Sequence, residues 1–110
     1  MRALAVLLGL LISIPVLAAS PQIEAAITVI QTVGTDTNRL KTFCELMKID
    51  EQNEPNPNAI LEARMDKLLE ELGPDFRQVW DTAESIDPAS EDGKALHAAL
   101  DRLSQRCPHG

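Results

Sequence analysis

The sequence predicts an all-α protein: a small bundle of three to five helices, stapled by one disulfide and preceded by a cleaved signal peptide. Three observations predict this class. After the first twenty of 110 residues, the apolar side chains recur at intervals of three and four. Proline, glycine and capping residues bound most of the repeating stretches. The chain also carries two cysteines behind a segment typical of export.

The N-terminal segment has the three parts of a secretory signal. A positive start at Arg2 precedes an apolar run over residues 3–17, and small residues follow it. We expect cleavage after Ala18, which leaves a single helical domain over residues 19–110, periplasmic or secreted. A membrane anchor is disfavoured because the run contains Pro15 and is shorter than the roughly 20 residues that span a bilayer.

The stretch from Ser20 to Asp50 predicts one long helix with a weak middle. Residues 34–38 are poor helix formers, yet the helical spacing continues through them. The residues on this face are Ile23, Ala26, Ile30, Val33, Thr37, Leu40, Cys44 and Met47. Two stacked helices would bury the same face. A strand over residues 27–33 is disfavoured because the sequence offers no second strand to pair with it.

The next helix is predicted between a loop and a glycine. Residues 51–58 contain two prolines and three asparagines and predict the main loop. Asn56 suits the N-cap and Pro57 the first helical position, and Gly73 supplies the stop. The apolar stripe of this helix is Leu61, Met65, Leu68 and Leu72.

Two further helices complete the predicted bundle. Pro74 opens the first, and the pair Asp87 and Pro88 repeats the cap-plus-proline signal for the second. Their apolar faces are Phe76, Val79, Trp80, Ala83 and Ile86, then Leu96, Ala99, Leu100 and Leu103. Arg102 and Arg106, near the end of the last helix, suit the negative end of its dipole.

Cys44 and Cys107 can form only one intramolecular pair, and export favours its oxidation. A bridge between them would stabilise the domain by about 4 kcal/mol. The alternatives are a reactive thiol or a metal site with His97 and His109. Neither cysteine lies in a CxxC motif, so we favour the disulfide.

Composition excludes several functions. The net charge of −7 disfavours nucleic acid and anionic membrane surfaces. The five glycines are too scattered for a phosphate-binding loop. No nucleophile, base and orienting group can be assembled, so the sequence predicts a protein that is not an enzyme and needs no cofactor.

Two acidic groupings have ordinary explanations. Glu62, Asp66 and Glu70 follow one another at steps of four and form a negative ridge, which a solvated helix face explains. Asp50, Glu51, Asn53 and Glu54 are rich in oxygen ligands. An EF-hand starting at Asp50 would need glycine and glutamate where Pro55 and Leu61 stand. We therefore predict no metal site there.

His97 carries the alternative function. With Met47 or Met65 it could supply axial ligands to a haem or another metal within a helical bundle. A histidine at the edge of its helix and methionines that fill the core explain the same residues. The carrier reading is therefore the second choice.

The general plan of the chain is an export signal, a short acidic helical body and one cysteine pair. It is similar to that of small periplasmic acid-stress chaperones, a likeness of architecture alone. We expect a non-enzymatic binding or interaction module, and one version of this expectation is a chaperone-like or stress-related protein. Its partner would be another protein or a second copy of itself. The many apolar stripes predict exposed apolar surface, and thus self-association or capture of an apolar dye that grows at low pH.

Overall fold

The structure, a computed structural model, describes residues 19–108 and shows five helices and no strand in that range. It confirms the predicted all-α class with one disulfide. The helices are α1 (Pro21–Gly34), α2 (Thr37–Asn53), α3 (Ala59–Leu72), α4 (Pro74–Ser85) and α5 (Glu91–Ser104). None of them is long and apolar enough to cross a bilayer. The expected signal over residues 1–18 lies outside the described range.

The prediction of one long helix over residues 20–50 is wrong, because the chain breaks between Gly34 and Thr37. The Asp36 side chain accepts hydrogen bonds from the backbone N–H groups of Asn38 (3.0 Å) and Arg39 (3.3 Å). It therefore caps a new helix. The break lets α2 turn back and pack against α1. Residues 27–33 are helical, as the favoured interpretation had it.

The break also shifts the buried face of α2. The uninterrupted spacing predicts Leu40, Cys44 and Met47 on that face, but all three are only half-buried. The fully buried residues of α2 are Phe43, Leu46 and Ile49. A helix restarted at Asp36 does not inherit the phase of α1, so a pattern read across the break selects neighbouring positions.

Helix α3 begins two residues later than predicted. The Asn58 side chain, not that of Asn56, accepts from the N–H groups of Ile60 (2.7 Å) and Leu61 (3.2 Å). Asn58 itself is held by Asn53, whose side-chain oxygen accepts its N–H at 2.7 Å. The helix buries Met65, Leu69 and Leu72 and leaves Leu61 and Leu68 half-buried.

The boundary between α3 and α4 confirms the sequence signals. Gly73 has a φ of 105°, a conformation that favours glycine, and Pro74 opens α4. The start of α5 is different from the predicted Asp87–Pro88 cap, because Ser90 is the N-cap and its Oγ accepts from the N–H of Gly93 at 3.0 Å. Asp87 instead holds a turn by accepting from the N–H of Ala89.

The five helices bury one common core. Helices α2 and α3 form an antiparallel hairpin, α1 and α5 lie side by side in the same direction, and α4 packs on α1 and α3. At the centre the rings of Phe43 and Phe76 meet edge to face, with their centroids 5.8 Å apart. The larger core residues with no measurable exposure are Val33, Phe43, Leu46, Phe76 and Leu96.

The expectation of surplus apolar surface is wrong for residues 19–108. Ile60, 72% exposed, is their only exposed large hydrophobic side chain. The stripes of the five helices face the common core, and several of their residues remain half-buried at its edge. Self-association and dye capture stay predictions.

Candidate functional site: the clamped end of the bundle

A disulfide joins α2 to the segment after α5, as predicted. The sulfur atoms of Cys44 and Cys107 are 2.04 Å apart, and no free cysteine is present among residues 19–108. Both cysteines are half-buried and pack against the core. The bridge fixes the end of the chain to the middle of α2, so it closes a loop across 63 positions.

A hydrogen bond from Arg106 adds a second link at this end. Its Nη1 donates to the carbonyl oxygen of Gly34 at 2.9 Å, at the last residue of α1. The guanidinium thus meets the negative end of the α1 dipole, whereas we had expected it to complement its own helix. A Cβ on Gly34 would lie 2.7 Å from that Nη1. A side chain at position 34 would therefore push the flexible end of Arg106 aside.

We define the clamped end as Gly34, Cys44, Arg106 and Cys107. A shallow cleft of about 200 Å³ opens beside it, between α1 and α5. The residues that line the cleft are Ile30, Gln31, Gly34, Ala99, Arg102, Leu103 and Arg106. The apolar ones among them are buried side chains of the core, whereas Gln31 and the two arginines are exposed at the rim.

The two arginines of the cleft differ from Arg39 and Arg77, which form ion pairs. Arg39 lies 3.7 Å from Asp75, and Arg77 lies 3.3 Å from Asp66. Within residues 19–108 no carboxylate lies within 4.0 Å of the guanidinium nitrogens of Arg102 or Arg106. In a chain of net charge −7, the cleft therefore presents two positive groups, Arg102 on α5 and Arg106 in the turn just after that helix.

A second cleft, of about 180 Å³, lies between α1 and α4. Its residues are Gln22, Ala25, Ala26, Val29, Asp75, Gln78, Val79 and Thr82. The one charged group, the carboxylate of Asp75, is already paired with Arg39. This cleft offers small and neutral groups and no concentration of charge.

The opposite end of the α2–α3 hairpin is acidic. We define the acidic end as Asp50, Glu51, Glu54 and Glu84. Burial, and then the charges of Glu54 and Glu51, raise the pKa of Asp50. Burial and the neighbouring Asp50 carboxylate likewise raise the pKa of Glu84, against a smaller lowering by Arg77. At neutral pH these ionised carboxylates repel one another.

The acidic residues singled out by sequence do not form a metal site. Asp50, Glu51 and Asn53 belong to the last turns of α2, not to a loop as predicted. On the ridge, Asp66 pairs with Arg77 at 3.3 Å, and Glu62 is 3.5 Å from the side-chain nitrogen of Asn53. Over residues 19–108 the structure shows no group of three or more metal-ligating acidic, histidine or cysteine side chains.

The residues of the carrier alternative lie on three different helices. His97 is half-buried on α5, Met65 is buried on α3 and Met47 is half-buried on α2. Helix α5 packs mainly on α1, whereas α3 packs on α2 and α4. Neither cleft described above is lined by any of the three. The carrier function stays a prediction without supporting geometry, and His109 lies outside the described residues.

Sequence reasoning missed the cleft. Its signal was the spacing of Arg102 and Arg106, which indicates a shared helix face. Nothing in the sequence says that Gly34 lies opposite, because that contact joins residues 72 positions apart. Comparison of the chain with protein-family models, with curated proteins and with solved structures found no match.

Proposed function

We propose that this chain is an exported, non-enzymatic binding module, periplasmic or secreted, that presents the cleft at the clamped end. The observation that carries this proposal is the pairing of Cys44 with Cys107 beside that cleft. A disulfide persists in oxidising compartments and is rare in the cytosol. In a domain of this size it supplies stability that a small core lacks.

The residues that follow Ala18 belong to the folded domain, which fits the expected processing after Ala18. Ala19 packs against the core, and the N–H of Ser20 donates to the Asp92 carboxylate at 3.1 Å. The Ser20 side chain also caps α1 by accepting from the N–H of Ile23. Cleavage at the expected position would therefore leave a chain whose first residue already belongs to the folded domain.

A chaperone-like role would need surface that the folded chain does not present at neutral pH. Ile60 is the sole large apolar side chain exposed between residues 19 and 108. Acid opening at the acidic end is also disfavoured, because protonation there removes repulsion. We therefore place the binding function in the cleft and keep a protein client or a second copy as the runner-up.

Expression with the native leader in a Gram-negative bacterium tests the proposal. The protein is recovered from the periplasmic fraction without reductant. Its mass is then measured by mass spectrometry under denaturing conditions and again under native conditions. We expect a product that starts at Ala19 with Cys44 and Cys107 oxidised. Native spectra should show a small molecule retained by a monomer.

An Ala18→Arg variant is the matched control, because a large charged residue at the cleavage position blocks processing. This variant should retain the leader and be absent from the soluble periplasmic fraction. A wild-type product that retains Met1 and both thiols in the cytosol would overturn export. A mature, oxidised dimer or client complex without any small molecule would favour the runner-up.

A further inference from the structure

We propose that the cleft between α1 and α5 binds a short-chain carboxylate, a molecule with one anionic head and a hydrocarbon tail of about six carbons. The proposal rests on the function proposed above and names its ligand class. Three features carry it: the apolar floor, the two arginines at the rim and the volume of the cleft.

The floor of the cleft suits a hydrocarbon tail. Ile30, Ala99 and Leu103 line it and are 2%, 5% and 5% exposed. They belong to the core, so helices on both sides hold them in place. An alkyl chain laid on this floor would remove mainly its own apolar surface from water, because the floor side chains are already almost fully buried.

The rim suits a carboxylate head. Arg106 is oriented by its bond to the Gly34 carbonyl, which uses one of its five N–H donors. Arg102, one helical turn earlier, lines the same cleft. A carboxylate between them would accept charge-assisted hydrogen bonds in the forked geometry that guanidinium groups favour. It would also relieve the repulsion between two like charges four residues apart.

The volume limits the length of the ligand. Pockets that bury drug-sized molecules measure about 300 to 1,000 Å³, whereas this cleft is about 200 Å³. The cleft therefore suits a ligand smaller than a drug-sized molecule. Hexanoate is such a ligand, and in an open cleft its end would stay exposed. Larger polyanions are disfavoured because the chain has a net charge of −7.

The experiment is an amide NMR titration of the oxidised chain with hexanoate. Acetate supplies the head alone, and 1-hexanol supplies the tail alone. We expect saturable shifts with hexanoate at Ile30, Gly34 and Leu103, with a dissociation constant on the order of 1 mM because the site is small and open. Acetate and 1-hexanol should each bind at least about tenfold more weakly.

An Arg102→Gln variant should weaken hexanoate binding about fivefold, as expected for one exposed charge-assisted contact. The matched control is Arg64→Gln, because Arg64 is exposed on α3 away from the cleft. That variant should bind hexanoate as the wild type does. Gly34→Ala should also weaken binding, because its Cβ would displace the Arg106 guanidinium.

Two results would overturn the proposal: no saturable shift at the cleft with hexanoate, or equal weakening by Arg102→Gln and Arg64→Gln. Equal binding of hexanoate and 1-hexanol would overturn the role of the arginines. These failures are distinct from failure of the proposed function. A mature, oxidised protein that retains a different small molecule in the native mass measurement would keep that function and reject only this ligand class.

Discussion

The two ends of the bundle are held in different ways. At the clamped end, Cys107 is bonded to Cys44 and Arg106 reaches the last carbonyl of α1. At the acidic end, Asp50 and Glu84 have raised pKa values because burial and like charges disfavour their ionised forms. One end gains stability from a covalent link and a charge-assisted hydrogen bond, whereas the other loses some to repulsion.

The stabilising links are therefore concentrated at the clamped end, and the repelling negative charges at the acidic end. Asp50 and Glu54 lie four residues apart at the C-terminal end of α2, where the helix dipole is negative. Arg77 lowers the pKa of Glu84 only in part and is also paired with Asp66, whereas Arg106 lies at the clamped end. The hydrophobic core and the disulfide therefore have to offset the repulsion between the carboxylates of the acidic end.

The largest effect of a single substitution is expected at the clamped end. Leu103→Ala should lower the free energy of unfolding by about 3 kcal/mol, because Leu103 is 5% exposed and its removal leaves a cavity. Ile60→Ala is the matched control near the acidic end. Since Ile60 is 72% exposed, we expect a change below about 0.5 kcal/mol. Urea unfolding followed by Trp80 fluorescence measures both, and equal losses would contradict the comparison.

A smaller effect is expected at the cap of α3, next to the acidic end. Asn58→Ala should cost about 1 kcal/mol because it removes the acceptor for the N–H groups of Ile60 and Leu61. Asn56→Ala, the cap that the sequence predicts, should cost almost nothing. The same urea measurement distinguishes them. A greater loss from Asn56→Ala would move the start of α3 back to the predicted position.

The smallest effect has the opposite sign. Asp50→Asn should raise the free energy of unfolding at pH 7 by about 0.5 kcal/mol, because it removes a negative charge from the C-terminal turn of α2 and from its pair with Glu54. Glu45→Gln, on an exposed part of the same helix, is the control for a general loss of charge and should change stability less.

The pH dependence follows from the same carboxylates. The pKa values of Asp50 and Glu84 are raised in the folded state, so that state binds more protons than the unfolded chain. Their contribution to stability is complete below the unfolded pKa of about 4 and is lost as the pH rises through the folded values. As the pH falls from neutral towards 4, wild type should therefore gain stability relative to Asp50→Asn, which lacks the Asp50 carboxylate. An equal gain in both would contradict this assignment.

Local signals predicted much of this fold. The structure agrees with Gly73 followed by Pro74, with the lone cysteine pair and with the apolar stripe of α5, because each acts through neighbouring residues or leaves one choice. The stripe read across the break selects the wrong positions on α2. The N-cap residues were harder to predict, because several residues that can cap a helix lie within a few positions of one another. Asn58 prevails over Asn56 because Asn53 accepts its N–H at 2.7 Å, a contact across the connection.

The remaining features depend on contacts between distant segments. The break between α1 and α2 lets these two helices pack against each other in one core. The residues near Asp36 do not indicate which helix α2 will contact. The hydrogen bond from Arg106 to Gly34 joins the end of α1 to the segment after α5, two places that are 72 residues apart in the sequence. The surplus of apolar stripes was misjudged for the same reason, since stripes on separate helices cover one another only once their arrangement is known.

The most direct test of the clamp compares oxidised and reduced protein in urea at pH 7 and pH 5. The bridge closes a loop across 63 positions, so reduction should lower the free energy of unfolding by about 4 kcal/mol. That loss should be the same at both pH values, because Asp50 and Glu54 lie at the C-terminal end of α2 and the bridge is attached in the middle of that helix. A loss below about 1 kcal/mol, or a loss confined to one pH, would contradict the claim that the bridge holds this bundle together.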